Sequence, residues 1–424
     1  NQLNHIKAEK FKSAQISVHF LTQHTRETAS LDSLIPPVLM RCSKKYGDYR
    51  HMLMHCARLY DVIPAPINLL WGEIHDVGMG FCFCDDRFLP ADSGNLLSEV
   101  SMLIHDIILE PELVNGAFKA EHVALERDNM LDAYNARIND KRSYAYSRCV
   151  EEMCVFENYG VNRLGNEDTI AAVTPKALTK RYKEIISTAP VEIFYTGAHS
   201  VQEVADYMKK AFADMPRGEI DIDIGSDIRM NSVEENVREV YEKANVLQGK
   251  MVMGFRIGEY MEDFSLAELS IFNMVFGGGV TSKLFVNVRE KMSLCYYSSS
   301  GIKAAKGVMF VSSGVDAENF AVAREEIYHQ LDLIRSGDIS DYEMESAKTA
   351  YINSLNSVED SMGSMESYVV SNTVNGIDLT PEEYAEEIMA VDKEAIIAIA
   401  KSVVPDLIFY LTPNIDEGQE EDDE

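Results

Sequence analysis

The order of predicted elements runs twice along the 424 residues, and a chain built that way has few folds open to it. In the first half, residues 14–21 alternate as a strand with Ile16, Val18 and Phe20 on one face. A buried helix follows at 32–41, interrupted by Pro36 and Pro37. After a loop at 43–47, Asp48 caps a helix over 49–60. A strand at 73–84, an amphipathic helix at 96–109 and a long helical stretch from 113 to 157 come next. Thr174 and Pro175 open another helix, then a short strand at 191–195 and a helix at 201–212 complete the set.

Residues 217–236 change character. Turn residues and the acidic alternation Glu219-Ile220-Asp221-Ile222-Asp223 replace any amphipathic period, which marks a linker. The pattern then restarts: strand 250–257, helix 266–276, a glycine corner, helix 286–291, and strands at 295–300 and 308–314. Helices at 320–336 and 341–356, two more opened by Thr380 and Asp392, and a closing strand at 407–411 follow. Strand runs followed by helix runs predict an α+β chain of two homologous domains, each a largely antiparallel sheet with helices on one face. The boundaries are 1–216, a linker at 217–236, 237–415 and an acidic tail at 416–424.

The net charge of −30 argues against nucleic acid or an anionic membrane as partner. No apolar run approaches the ~20 residues that span a bilayer. The seven cysteines lack zinc-ribbon spacing and read as free thiols of a cytoplasmic protein.

The most distinctive stretch is Phe276-Gly277-Gly278-Gly279-Val280-Thr281-Ser282-Lys283-Leu284-Phe285. Three glycines at a helix end, Gly277, Gly278 and Gly279, permit positive φ and close approach of another chain. Arg289 follows near the end of the next helix, and Tyr296 begins a strand. An Arg and a Tyr at such a corner can hydrogen-bond an oxyanion or a peptide carbonyl; a salt-bridged surface Arg and a half-buried strand Tyr are the plainer alternative.

That stretch, with Val288-Arg289-Glu290-Lys291 and Leu294-Cys295-Tyr296, resembles the C-terminal-domain signature of the pitrilysin/insulinase family of zinc peptidases. The resemblance extends over most of the chain. It implies paired domains facing a chamber, with a substrate-binding loop at Gly277, Gly278 and Gly279, and with Arg289 and Tyr296 binding substrate and helping to stabilise the transition state. The family's zinc motif, H-x-x-E-H, belongs where Ser33-Leu34-Ile35-Pro36-Pro37 stands, so no ligand and no base remains. Glu121 or Glu126 is the possible counterpart of the third ligand. His51 and His55 have ligand spacing but no Glu between them.

The resemblance therefore implies a chain with no metal of its own, inactive alone. It would serve as one subunit of a heterodimeric metallopeptidase whose homologous partner carries zinc on an intact H-x-x-E-H. The complex would cleave peptides such as leader peptides. The alternative is a catalytically inactive peptide-binding or scaffold protein of the same fold.

Overall fold

The computed structural model describes residues 2–41, 43–229, 236–258 and 263–414. In chain order the strands are β1 (Gln2–Lys7), β2 (Ser13–Gln23), β3 (Ile63–Trp71), β4 (Ile74–Cys84), β5 (Leu113–Val114), β6 (Ala117–Phe118), β7 (Val191–Gly197), β8 (Arg238–Ala244), β9 (Lys250–Arg256), β10 (Cys295–Lys303), β11 (Val308–Val315) and β12 (Val404–Pro413). The helices are α1 (Ala29–Leu39), α2 (Tyr49–Arg58), α3 (Leu96–Ile108), α4 (Ala120–Ala136), α5 (Lys141–Met153), α6 (Glu167–Ala171), α7 (Pro175–Thr188), α8 (Val201–Ala211), α9 (Leu266–Asn273), α10 (Phe320–Arg335), α11 (Asp341–Asn356), α12 (Met362–Val374), α13 (Pro381–Ala390) and α14 (Lys393–Ser402).

The chain forms two compact units, each α+β. The first holds a five-stranded sheet in the order β1-β7-β2-β4-β3, and the second one in the order β10-β11-β9-β12-β8. Read from the opposite edge, the second order repeats the first. Each sheet is antiparallel except for one parallel edge strand, β1 on β7 and β8 on β12. The repeated order in the sequence is thus a repeated topology.

Neither unit is continuous in sequence. The first is Asn1–Asn135, Val161–Ser226 and Val358–Asp378; the second is Ala136–Gly160, Asp227–Ser357 and Leu379–Glu424. The division at Ser226/Asp227 falls inside the stretch read as a linker, but two helical segments join the unit formed by the other half of the chain. As a result the sheets carry helices on both faces, a correction to the one-face expectation. In the first unit, Ile16, Val18 and Phe20 pack with α1, α3 and α7 in one apolar core. The opposite face meets α12, where Gln15 Nε2 donates to Glu366 Oε2 at 2.8 Å. In the second unit, Ala145, Cys149 and Met153 of α5 pack on Val252, Phe310 and Phe409.

Other differences have local causes. The helical stretch predicted over 113–157 is broken into the β5–β6 hairpin, α4, a short turn and α5. Asp140 restarts the helix by accepting from the backbone N–H of Arg142 and Ser143. Helix α1 runs through Pro36 and Pro37 instead of being interrupted by them. Edge strands β1, β3 and β8 have no clean apolar alternation, and β3 carries Pro64 and Pro66, which an edge tolerates. Residues 217–226 of the linker are strapped to the first unit, while Asp227 and Arg229 bond to Lys306 and Glu157 of the second. Arg217 donates to the Ile186 and Ala189 carbonyls, and Gln23 bonds both backbone groups of Gly225. The acidic tail at 416–424 and residues 230–235 of the linker lie outside the described residues.

Candidate functional site

At Ser33-Leu34-Ile35-Pro36-Pro37, where the resemblance puts the zinc motif, Ser33 Oγ donates to the Arg163 carbonyl at 2.7 Å. Pro36 and Pro37 offer no side-chain donor atom. The adjacent Asp32 is fully buried and held by Arg181 at 2.6 and 3.0 Å, with Thr22 at 3.3 Å. His24 and His75 are buried beside it, their Nδ1 atoms 3.4 Å apart, and burial lowers both pKa values so that the rings are neutral. Glu126 is buried and already taken: it accepts from Arg41 Nε and from Asn129 Nδ2 at 3.2 Å. Glu121 is exposed and meets His122 at 3.7 Å. His51 is exposed and bonded to Asp48, while His55 stacks on Tyr46. These residues do not fit zinc. Among the described residues no three His, Cys, Asp or Glu side chains are grouped to hold a metal.

A Ser-His-Asp constellation does occur, where the sequence showed no pattern. His19 Nε2 lies 2.8 Å from Ser17 Oγ, and its Nδ1 lies 2.9 Å from Asp76 Oδ2. Glu366 approaches Nε2 at 3.7 Å. Burial pushes the His19 pKa down, but the Asp76 and Glu366 carboxylates outweigh it and carry it up to about 9. A protonated imidazole donates to Ser17 and cannot take its proton, and Ser17 is wholly buried. The cluster is therefore an ionic tie between sheet and α12. The signal was the alternation of Ser17 and His19 against Ile16, Val18 and Phe20.

The corner in the second unit is built differently. Ser265 and Glu268 cap α9 reciprocally. The chain then widens into a π-helical turn at Met274–Gly278 and a second at Leu284–Lys291. Such segments recur at functional sites. None of the three glycines has positive φ. Close approach is instead by the protein's own chain: a Cβ on Gly277 would lie 2.7 Å from Ser300 N and from Leu284 Cδ1. On Gly278 it would meet Asn273, and on Gly279 the Met274 methyl at 3.1 Å, with the Met274 carbonyl at an ordinary 3.7 Å. Lys283 is buried and paired with Glu343 at 2.9 Å.

Arg289 is 37% exposed, stacks over Phe285 at 4.4 Å and approaches Glu290 at 3.4 Å. Ser293, with φ of 53°, turns the chain into β10. Tyr296 sits in a bulge, where the pairing of β10 on β11 shifts between Cys295 and Ser298. It is 77% exposed. Among the described residues no hydrogen bond joins Arg289 to Tyr296, although the Arg289 charge acts on the neighbouring Cys295 thiol against the upward push of burial. Val280 and Met292 are also exposed near this corner in the sequence.

The family profile described as "Peptidase M16 inactive domain" matches residues 172–351. A curated relative, "Probable inactive metalloprotease YmfF" of Bacillus subtilis, is 27% identical over 408 residues, covering 96% of this chain and 94% of its own. The chain is similar to M16-family peptidases over nearly its whole length. This is the insulinase family that the stretch around Arg289 and Tyr296 resembles in sequence. A conserved protein of Enterococcus faecalis V583 has the same fold, with TM-score 0.87 and 26% identity over 98% of this chain and 97% of that one. The periplasmic protease PqqL of Escherichia coli, at 14% identity and TM-score 0.69, matches 97% of this chain with 46% of its own length. Both the profile and the YmfF relative carry the word inactive in their descriptions. All six described cysteines are free thiols.

Proposed function

We propose that this chain is the zinc-less subunit of a two-chain metallopeptidase. A homologous partner carries H-x-x-E-H and its zinc, and the complex cuts peptides, leader peptides among them, in the cytoplasm. Arg289 binds the substrate carboxylate or carbonyl, and Tyr296 donates to the oxyanion that forms at the partner's zinc. Gly277, Gly278 and Gly279 shape the substrate-binding turn. The observation that carries this reading is the exposure of Tyr296, a hydroxyl left open on a bulged edge strand beside two π-helical turns, in a chain with two prolines where the resemblance puts the zinc motif. The match to less than half of PqqL supports pairing, since a second half is then left for another chain to supply.

The test is co-expression with a homologue that has an intact H-x-x-E-H, followed by peptide-cleavage assays on the mixture and on each chain alone. Cleavage by the mixture only supports the reading. Full activity of the zinc chain by itself sinks it. The second reading, a peptide-binding scaffold without cleavage, is favoured by the word "inactive" in the name of the YmfF relative; binding of peptide without turnover in the mixture would select it.

A further inference from the structure

Tyr297, next to the exposed Tyr296, turns its ring to the sheet face that α5 covers. The bulge in β10 and the missing side chain of Gly314 make room for it: a Cβ on Gly314 would lie 2.5 Å from Tyr297 Cε1. Two cations converge on this ring. Arg142, in the first turn of α5, has Cζ 4.1 Å from the ring centroid, and its Nη2 donates to Ser299 Oγ at 3.1 Å. Lys250, at the start of β9, has Nζ 5.9 Å from the same centroid and donates to Gln248 Oε1 at 3.3 Å.

Among the described residues neither cation forms a salt bridge, in a chain with 69 carboxylate side chains and 39 Lys and Arg. The nearby Asp140 is occupied capping α5, where it accepts from Arg142 N, Ser143 N and Ser143 Oγ. Burial, with Arg142 adding to it against Asp316, pulls the Lys250 pKa below its ordinary value. Two hydroxyls complete the cluster. Tyr297 Oη and Ser312 Oγ are both buried without a hydrogen-bond partner, and Ser312 is only 9% exposed. They are close enough for Ser312 to oppose the rise that burial gives the Tyr297 pKa, but not in bonding geometry.

Two cations without a salt-bridge partner among the described residues, with Asp140 and Asp316 acting on them only at longer range, and two buried hydroxyls without a hydrogen-bond partner share one chemical complement. We propose that Arg142, Lys250, Tyr297 and Ser312 form a binding site for an oxyanion group, a carboxylate or a phosphate, separate from Arg289 and Tyr296. Arg142 supplies a planar fork and Lys250 a point charge. The hydroxyls donate once an acceptor is present, which removes the cost of leaving them unmet.

Equilibrium binding of inorganic phosphate and of acetate to the full chain, at ionic strength held constant with chloride, tests the site. Saturable binding of either anion is expected. It should weaken roughly tenfold or more in Arg142→Gln and in Lys250→Gln and persist in Lys250→Arg. Tighter acetate identifies a carboxylate ligand, and tighter phosphate a phosphoryl one. Ser312→Ala, which removes a single hydroxyl, should weaken the same binding and serves if the charge variants fail to fold by circular dichroism. Absence of saturable binding to the parent chain, or equal binding by parent and folded variants, overturns the proposal.

Discussion

Glu157 Oε1 accepts from Arg256 Nη2 at 2.6 Å. Glu157 follows α5, in the segment that the first half of the chain contributes to the second unit, and Arg256 ends β9 in the middle of that unit's sheet. Lys306 Nζ also meets Glu157 at 2.7 Å, and Arg256 Nε meets Asp406 at 2.6 Å. All four side chains are buried. Together they tie the borrowed segment to its sheet, as His19, Asp76 and Glu366 tie α12 to the other.

Glu157→Gln should destabilise the second unit severely. It removes the carboxylate charge that Arg256 and Lys306 share, and stripping one partner from a buried pair costs about 3–5 kcal/mol. Denaturant unfolding monitored by circular dichroism measures this. A loss below about 1 kcal/mol would mean that the network is solvated and not a tie.

The first unit should lose stability as pH rises above neutrality. The folded-state pKa of His19 is raised from 6.5 to about 9, so its contribution is fully present below about pH 6.5 and is lost as pH climbs through 9. The swing is on the order of 3 kcal/mol. His24 and His75 act oppositely: their lowered values stabilise above pH 6.5 and cost stability as the rings are forced to protonate in acid. Stability curves of the parent and His19→Gln between pH 6.5 and 9 should converge. Parallel curves would refute the assignment.

Gly277→Ala should destabilise by about 1–3 kcal/mol, because the new methyl meets backbone at Ser300 and the Leu284 side chain. Gly279→Ala should cost much less, since only the flexible Met274 methyl must give way. Thermal unfolding of the two variants ranks them; the reverse order would rule out packing as the reason for Gly277.

In the two-chain complex, Tyr296→Phe and Arg289→Ala should each lower turnover, by ~10²–10³ where an oxyanion donor is lost, with little change in melting temperature. Tyr296 is too exposed for its hydroxyl to support the fold. Unchanged turnover in both variants would leave the chain as a scaffold.

The purified chain should hold no stoichiometric zinc, because Ser33 is bonded to backbone, Pro36 and Pro37 have no ligand atom and Glu126 is paired with Arg41. About one tightly held zinc per chain by elemental analysis would overturn this.

The repeated order of elements, the α+β class, the degenerate zinc motif and the glycine corner were all legible in the sequence. They depend on local signals: alternation, caps, prolines and a spaced motif. Strands without a clean period, β1, β3 and β8, were missed because an edge strand is defined by the neighbour it pairs with. Which half of the chain supplies α5 and α12 was also beyond local pattern. A helix reads the same from its own residues whichever sheet it covers, and only long-range contacts such as Glu366 with Gln15 select the sheet. The glycines show the same division: their presence marked a close approach, but only the folded chain decided that Ser300 of the same molecule makes it. His19 and Arg142 carry no motif at all. Their chemistry comes from what tertiary structure sets beside them, two carboxylates for one and a tyrosine ring with a second cation for the other, because charge and burial are properties of a neighbourhood.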